Sequence, residues 1–328
     1  MPAPDDQLTL QAKIERWPIE GAFTISRGSK REAVVVVVEV SGSGCAGRGE
    51  CLPYPRYGET PEATLTELLS LGRTIEPGRA LAELSGKAAR NALDCALWDW
   101  RAKRTGMTPF ARAGRPEPMP ILTCYTLSLD TPEAMATKAA SVANLPLLKL
   151  KLGRPDDAAR MRAVRERRPD ARLVADANEG WHPSHLSELL AVAAECRFEL
   201  IEQPLPADAD AALASIAHPV PICADESAHD AGSIAALAGR YDAVNIKLDK
   251  TGGLTPALAM AGAARLSGLR IMVGCMVATS LSMAPALVLA GDADWVDLDG
   301  PLLLARDRPG GLVIRDGWIA PASPALWG

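Results

Sequence analysis

Four short apolar runs that end in charged residues decide the fold: LPLLKLKLG (145–153), ARLVADANEGW (171–181), FELIEQPLP (198–206) and PICADES (221–227). With similar runs on either side, they predict eight strands at intervals of 22–28 residues, centred near Leu122, Leu148, Val174, Leu200, Cys223, Asn245, Val273 and Val296. Ala- and Leu-rich stretches of helical period separate the runs. This alternation predicts a parallel (β/α) barrel, with a doubly wound open sheet as the alternative, because both folds repeat the βαβ unit.

The residues before this repeat predict a separate α+β unit. The β-branched run Ala33–Val40, a Gly/Ser turn and a short strand that ends at Cys51 predict a hairpin. Two helices follow, the first capped by Thr60. The Pro/Gly-rich RAGRPEPMP (112–120) marks a boundary. We therefore expect an N-terminal α+β domain, a barrel and a C-terminal segment, at 1–115, 116–300 and 301–328.

The composition is that of an ordinary folded protein and excludes several function classes. The chain has 328 residues, of which 48% are hydrophobic and 23% charged, and its mean hydropathy is +0.04. A net charge of −5 and an aromatic content of 4% argue against nucleic acid and anionic membranes as partners. Seven scattered cysteines without a C-x-x-C pair, and the lack of a visible signal peptide, predict a reduced, cytoplasmic protein.

Two other segments need a physical test before a function is assigned to them. The uncharged stretch Ile271–Gly291 has the length of a membrane span, but it contains Pro285 and its first half predicts a buried strand. We expect a barrel strand and a core helix there.

Gly42–Gly47 matches the dinucleotide fingerprint G-x-G-x-x-G, which requires a following helix to bind the pyrophosphate. The next residues, RGECLPYP, predict a hairpin instead, so we reject a nucleotide site.

Three carboxylates end consecutive predicted strands: Asp176, Glu202 and Asp225. In a parallel barrel these strand ends converge at the catalytic face. Carboxylates that point at one another repel unless a cation lies between them, and hard oxygen ligands without His or Cys favour Mg²⁺ over Zn²⁺. The spacing therefore predicts a Mg²⁺ site.

Lysines accompany the carboxylates. Lys149 and Lys151, at i and i+2, share one strand face, and we expect the two ammonium groups to lower each other's pKa and make one a usable base. Lys247 lies on the predicted sixth strand and would face Lys151 across the barrel mouth. Opposed lysines favour removal of an α-proton from one face and its return to the other, with Mg²⁺ stabilising the enediolate. This favours racemisation or epimerisation, although β-elimination and cycloisomerisation share the intermediate.

With these residues the chain resembles the enolase superfamily, muconate-lactonising-enzyme-like subgroup, over nearly its whole length. The K-x-K pair, the Asp–Glu–Asp strand ends and the later Lys carry the resemblance. It implies a modified (β/α)7β TIM-like barrel with an N-terminal α+β capping domain and a C-terminal segment that returns to the cap. It also implies that the three carboxylates bind one Mg²⁺ per subunit, that Lys151 and Lys247 are the acid/base residues, and that Lys149 tunes Lys151.

Within this subgroup the chain most resembles dipeptide epimerases, especially L-Ala-D/L-Glu epimerases. Asp297 and Asp299 in WVDLDGP resemble the D-x-D pair that binds the free ammonium of the dipeptide, and two carboxylates on one strand face suit a cation. SRGSKREA resembles a mobile cap loop in which Arg27 would pair with the glutamate side chain. CLPYPRYGET, which contains Tyr57, resembles the second loop that closes over the site.

The resemblance implies an isomerase that epimerises the glutamate of L-Ala-D-Glu or L-Ala-L-Glu in the cytoplasmic metabolism of murein peptides. Its partner is a small dipeptide substrate, and a homo-oligomer is compatible with it. Alternatives stay open: another dipeptide specificity, or an o-succinylbenzoate synthase, N-acylamino-acid racemase or cycloisomerase of the same subgroup. Lys30 or Arg31 could do the work of Arg27. His182 and His185 could lie near the metal, although a loop role is favoured.

Overall fold

The computed structural model describes residues 7–116 and 118–328. Its first part is an antiparallel sheet in the order β3-β2-β1-β4, formed by β1 (Leu8–Ile25), β2 (Gly28–Gly42), β3 (Cys45–Cys51) and β4 (Thr74–Ile75). The accompanying helices are α1 (Pro61–Ser70), α2 (Pro77–Glu83), α3 (Lys87–Thr105) and α4 (Pro109–Arg112). The Thr60 side chain caps α1 by accepting a hydrogen bond from Ala63 N, as predicted. Residues 8–112 are called the cap below.

Close packing between β3 and α3 explains the glycines that imitate a nucleotide fingerprint. Ser43 and Gly44 have left-handed φ angles of 54° and 75°, and they turn β2 into β3, so the predicted hairpin is confirmed. A Cβ atom at Gly47 would lie 2.3 Å from the carbonyl oxygen of Ala96 in α3. Glycine at this position therefore lets α3 lie against β3, and this close packing explains the glycine without a nucleotide site.

After the short strand β5 (Ile121–Leu122), eight parallel strands follow one another around a nearly closed barrel. They are β6 (Tyr125–Leu127), β7 (Leu147–Lys151), β8 (Arg172–Asp176), β9 (Phe198–Glu202), β10 (Ile222–Ala224), β11 (Ala243–Ile246), β12 (Arg270–Gly274) and β13 (Trp295–Asp297). The first and last strands meet where Cys124 N donates a hydrogen bond to Val296 O at 2.8 Å. This closure confirms the predicted barrel and excludes the open sheet.

The outer helices are α5 (Pro132–Ser141), α6 (Asp157–Arg167), α7 (Pro183–Glu195), α8 (Ile234–Leu237), α9 (Leu248–Thr251), α10 (Leu254–Leu266) and α11 (Ser280–Ala290). Between β9 and β10 the chain forms the 3₁₀ turn Ala211–Ser215 where a helix was expected. Four prolines between positions 204 and 221 oppose a longer helix there. Two further strands, β14 (Ile314–Arg315) and β15 (Trp318–Ile319), follow the barrel.

The predicted position of the first barrel strand is wrong. The strand is β6, whereas Leu122 belongs to β5 and pairs with Trp318 of β15 in a small antiparallel sheet. Leu122 packs against the buried side chains inside the barrel, where a cluster drawn from β7 to β13 lies. The apolar pair therefore covers the N-terminal end of the barrel and does not join its sheet.

The cap lies over the barrel and contacts the part of the chain that follows the barrel. In the C-terminal segment, Trp327 Nε1 donates a hydrogen bond to Cys95 O of α3 at 3.0 Å. Ile19 forms an isolated bridge with Leu304, just after the barrel. The segment Ile271–Gly291 contains β12 and the buried helix α11, as expected, and among the described residues no helix is long and apolar enough to cross a membrane.

Candidate active site

Three buried carboxylates meet at the C-terminal ends of adjacent barrel strands. Asp176 ends β8, Glu202 ends β9, and Asp225 directly follows β10. One ligand oxygen from each lies within 4.8 Å of the others. This set of hard oxygen donors fits Mg²⁺, which prefers carboxylate ligands.

Neighbouring charges set the ionisation of these carboxylates. Burial raises the pKa of Asp176, but the ammonium groups of Lys151 and Lys149 outweigh burial and lower it to about 2. Burial and the charge of Asp176 raise the pKa of Glu202 to about 7. The lysines alone therefore compensate the middle carboxylate poorly, and a divalent cation among the three would favour its ionised form.

Lys149 and Lys151 lie on one face of β7, as their spacing predicts, but they have different surroundings. Lys149 Nζ is buried 2.5 Å from Glu202 Oε2 and 2.6 Å from Asp297 Oδ2. Lys151 Nζ lies 2.6 Å from Asp176 Oδ2 and lines the cavity described below. The expectation of a lowered pKa is wrong for Lys149: burial lowers its pKa, but the Asp297, Glu202 and Asp176 charges raise it well above its usual range.

Lys247 approaches the carboxylates from the opposite side of the barrel. It directly follows β11, which is four strands from β7, and its Nζ lies 2.6 Å from Asp225 Oδ2 and 3.7 Å from Glu202 Oε1. Burial lowers the pKa of Lys247, yet Asp225 and Glu202 outweigh burial and raise it well above its usual range. Lys151 and Lys247 line the same cavity and reach it from strands on opposite sides of the barrel.

Sequence reasoning missed Lys250, a fourth lysine at this site. Its Nζ lies 2.5 Å from both Asp225 Oδ1 and Asp225 O, and 3.1 Å from Asn245 O. The signal was the second lysine of NIKLDK, which the one-turn helix α9 returns to the strand end. Lys250 therefore holds the backbone and the carboxylate of Asp225 together.

Asp297 and Asp299 lie at the end of β13 and line the cavity. Thr126 N donates a hydrogen bond to Asp299 Oδ2 at 2.6 Å, while Asp297 Oδ1 is buried without a hydrogen-bond partner among the described residues. Burial and the charge of Asp297 raise the pKa of Asp299 to about 7. The pair lacks sufficient positive charge, so it suits a cationic group of a ligand.

The cap loops place two predicted residues over the barrel. Arg27, between β1 and β2, donates from Nη2 to Glu226 Oε1 at 2.7 Å and from Nη1 to Asn178 O at 3.0 Å. Tyr57 lies in the 3₁₀ turn Pro55–Tyr57, and both residues line the cavity. The structure therefore brings Arg27 and Tyr57 to the mouth of the barrel.

Of the alternative cations and the histidines, Lys30 alone lines the cavity. Lys30 also lines the cavity, with its Nζ 4.5 Å from the centre of the Tyr54 ring, whereas Arg31 is exposed and is not among the described lining residues. His182 caps α7 by accepting a hydrogen bond from Ser184 N, and His185 lies in the same helix. Both histidines therefore belong to the start of α7 and do not line the cavity.

The cavity between cap and barrel has a volume of about 430 Å³, the size of a small-molecule site. Carboxylates and lysines of the barrel line one side, and apolar and cationic side chains of the cap line the other. Representative lining residues are Phe23, Ile25, Arg27, Tyr54, Tyr57, Lys151, Lys247, Asp297 and Asp299. This arrangement can hold a small molecule that carries both a carboxylate and an ammonium group.

Comparisons with known proteins agree with this geometry. The family model for the mandelate racemase/muconate lactonizing enzyme N-terminal domain matches residues 8–111, and the enolase C-terminal domain-like model matches 134–324. The L-Ala-D/L-Glu epimerase of Escherichia coli (strain K12) is 45% identical over 91% of this chain and 95% of its own length. The N-acetyl-D-glutamate racemase of Pseudoalteromonas sp is 41% identical over 90% of this chain and 95% of its own.

Solved structures give the same result. An enolase family member from Agrobacterium tumefaciens with homology to dipeptide epimerases, crystallised with sodium and L-Ala-L-Glu, is 49% identical and superposes with a TM-score of 0.94 over 98% of this chain and all of that one. Other matching dipeptide epimerases hold magnesium and a dipeptide. Epimerases and racemases are isomerases, so these relatives agree with the predicted reaction class.

Proposed function

Because this chain belongs to the mandelate racemase/muconate lactonizing enzyme family of the enolase superfamily, we propose that it epimerises L-Ala-D-Glu and L-Ala-L-Glu. The observation that carries the proposal is the pair Lys151 and Lys247, which line one cavity from opposite strands beside the three carboxylates. The proposal includes Mg²⁺ held by Asp176, Glu202 and Asp225. When bound, Mg²⁺ supplies positive charge that favours the negative charge developing on the substrate carboxylate as the α-proton leaves.

In the proposed reaction one lysine removes the α-proton of the glutamate and the other lysine protonates the opposite face. Each lysine contacts a carboxylate of the metal site, Lys151 through Asp176 and Lys247 through Asp225. Once these carboxylates neutralise a cation, they attract the ammonium groups less strongly. The pKa of Lys247 then falls from its raised value toward the range of a general base, while the lysine that remains protonated serves as the acid.

Recognition of the two ends of the dipeptide would use different parts of the site. Asp297 and Asp299 would accept the free ammonium, since their paired charges lack a full set of cationic partners. Arg27 would bind the glutamate side chain from the cap, and Tyr57 would close the cavity beside it. The distribution of charge thus supports a dipeptide with an acidic second residue.

A test of the proposal is incubation of L-Ala-D-Glu and L-Ala-L-Glu with the protein and Mg²⁺ in D₂O. We expect deuterium at the glutamate α-carbon and formation of the other diastereomer, followed by ¹H NMR. The matched variants are Lys151→Met, which should abolish epimerisation, and Lys13→Met at an exposed site, which should not change it. If neither isomer exchanges its α-proton for deuterium, the proposal is refuted.

A second candidate is racemisation of an N-acylated glutamate, favoured by the 41% identity to the N-acetyl-D-glutamate racemase. Such a substrate has no free ammonium, so it would have no use for the charges of Asp297 and Asp299. The variant Asp299→Asn separates the two. If Asp297 and Asp299 bind the ammonium of a dipeptide, the variant should epimerise the dipeptide much more slowly. If the substrate is an N-acylated glutamate, the variant should turn over N-acetylglutamate at an unchanged or higher rate.

The setting of this activity is part of the proposal. We place it in the cytoplasmic metabolism of murein peptides, because the proposed substrate is an alanyl-glutamate and the seven cysteines are free. Residues 1–115 would act as the capping domain, 116–300 as the catalytic barrel and 301–328 as the segment that returns to the cap. Neither nucleic acid nor a membrane is proposed as a partner, and the oligomeric state stays open, a homo-oligomer included.

A further inference from the structure

We infer that Glu179 is a positioning residue that holds both cap loops over the cavity by pairing with Arg27 and Arg56. The inference deepens the proposed function, since Arg27 is the residue proposed to meet the glutamate side chain.

The contacts of Glu179 join three segments of the chain. Arg56 donates to it from Nε (3.1 Å to Oε2) and Nη2 (2.8 Å to Oε1). Arg27 Nη1 lies 3.2 Å from Oε2, and Ala207 N donates to Oε1 at 2.9 Å. The carboxylate is 10% exposed, although it lies at the junction of cap and barrel. One largely buried carboxylate therefore binds two guanidinium groups from two different cap loops.

The backbone aims this carboxylate at the cap. Glu179 and Asn178 have left-handed φ angles of 64° and 47°, a conformation that side-chain-bearing residues seldom adopt. Hydrogen bonds hold it: Glu179 N donates to Gln203 O at 2.9 Å, and Asn178 N donates to Asp176 Oδ1 at 2.9 Å. The backbone of the loop that follows the predicted metal ligand Asp176 thus directs the Glu179 side chain toward the cap.

The two arginines differ in what they would do without Glu179. Arg27 lines the cavity and would keep its bond to Glu226, so it would remain near the site but less restrained. Arg56 is 42% exposed on its side chain and does not line the cavity, and Glu179 is its carboxylate partner in the described part of the chain. Loss of the Glu179 charge would therefore release the loop around Tyr57 and loosen the loop around Arg27.

A released cap lowers the fraction of enzyme that is ready to bind substrate, which raises the apparent dissociation constant by the same factor. We expect Glu179→Gln to raise KM for L-Ala-L-Glu about tenfold, equivalent to about 1.4 kcal/mol, with kcat changed less than about twofold because saturating substrate closes the cap. Damage to the barrel would instead lower kcat. The split between KM and kcat therefore reports positioning and not general stability.

The experiment combines these kinetics with limited trypsin digestion of the unliganded protein, followed by mass spectrometry of cleavage after Arg27 and Lys30. Glu179→Gln should be cleaved there about tenfold faster than the unmodified protein, following the same loss of closure. Arg56→Gln, which removes one of the two guanidinium partners at a surface position, should show a smaller increase. Glu199→Gln is the matched control, because it also removes a carboxylate that pairs with an arginine. Arg172 donates two hydrogen bonds of 2.8 Å to Glu199 at the start of β8, whereas Glu179 follows the end of that strand.

Equal digestion rates and KM values for Glu179→Gln and the unmodified protein would overturn the inference. A similar increase in Glu199→Gln would also overturn it, since the effect would then be general loosening. Trypsin digestion requires no turnover, so it tests the clamp even if no Ala-Glu isomer exchanges its α-proton, a result that would refute only the proposed function.

Discussion

Replacement of Asp249 by Asn should stabilise this protein above pH 7, although it removes a charge from the junction of cap and barrel. Asp249 lies in α9 and is 6% exposed. Its Oδ1 accepts hydrogen bonds from Asn91 Nδ2 at 2.7 Å and from Leu52 N at 3.1 Å, both in the cap. An asparagine oxygen accepts the same two bonds, so the variant keeps the contacts and loses only the buried charge.

The magnitude follows from the pKa of Asp249. Burial raises it from 3.8 to about 7, and the hydrogen bonds from Asn91 and Leu52 offset only part of that effect. A raised carboxyl pKa means that the folded state binds more protons than the unfolded state between about pH 4 and pH 7, so stability falls as pH rises through this window. A difference of about three pH units at about 1.4 kcal/mol each makes the cost about 4 kcal/mol above pH 7.

The measurement is urea denaturation of the unmodified protein and Asp249→Asn at pH 5 and pH 8, followed by tryptophan fluorescence in the presence of EDTA. The variant should gain stability relative to the unmodified protein on going from pH 5 to pH 8, by up to about 4 kcal/mol. The exposed Asp208→Asn should show no such gain. A variant that is less stable at pH 8 would show that the negative charge itself holds the cap, and it would refute the reasoning.

Three further outcomes test the site. Lys247→Met should reduce epimerisation by at least about 10³-fold, yet NMR in D₂O should still show α-proton exchange from the one diastereomer that Lys151 serves; loss of exchange from both would contradict two-sided proton transfer. In thermal denaturation, Mg²⁺ at about 100 times its Kd should stabilise the unmodified protein by about 2.7 kcal/mol. It should not stabilise the Glu202→Gln variant, and equal stabilisation of both proteins would place the cation elsewhere. Arg27→Met should raise KM about tenfold for L-Ala-L-Glu and little for L-Ala-L-Ala, whereas equal changes would remove Arg27 from side-chain recognition.

Much of the candidate site could be predicted from the sequence because its residues have local signals. Asp176, Glu202 and Asp225 each come directly at the end of an apolar run, and parallel strands bring such ends together. The spacing of Lys149 and Lys151 likewise predicts their shared face. The different surroundings of their ammonium groups were not predictable, because the carboxylates that surround Lys149 come from three other strands.

The parts that escaped prediction depend on partners far along the chain. Ile121–Leu122 and Tyr125–Leu127 are both apolar, and only the pairing of Leu122 with Trp318 decides which of them joins the barrel. Glu179 gives no local signal for its role, because its two arginines lie in loops more than a hundred positions earlier. Contacts between residues so far apart in the sequence can be identified only when the fold is known.

The hairpin of β1 and β2 has a consequence for how the specificity of this protein can change. Its base, up to the pair Pro18 and Glu32, belongs to the cap sheet, while the register shifts beyond that pair and the tip carries Arg27. Exchanges at 26–28 in this tip leave the buried strands and the lysines proposed to transfer protons unchanged, whereas the Phe23 ring, whose centre lies 5.7 Å from Lys151 Nζ, must be kept. Evolution can therefore try new side-chain preferences at little risk to folding or chemistry, and a tip transplanted from a relative is a practical route to a protein that selects a different dipeptide.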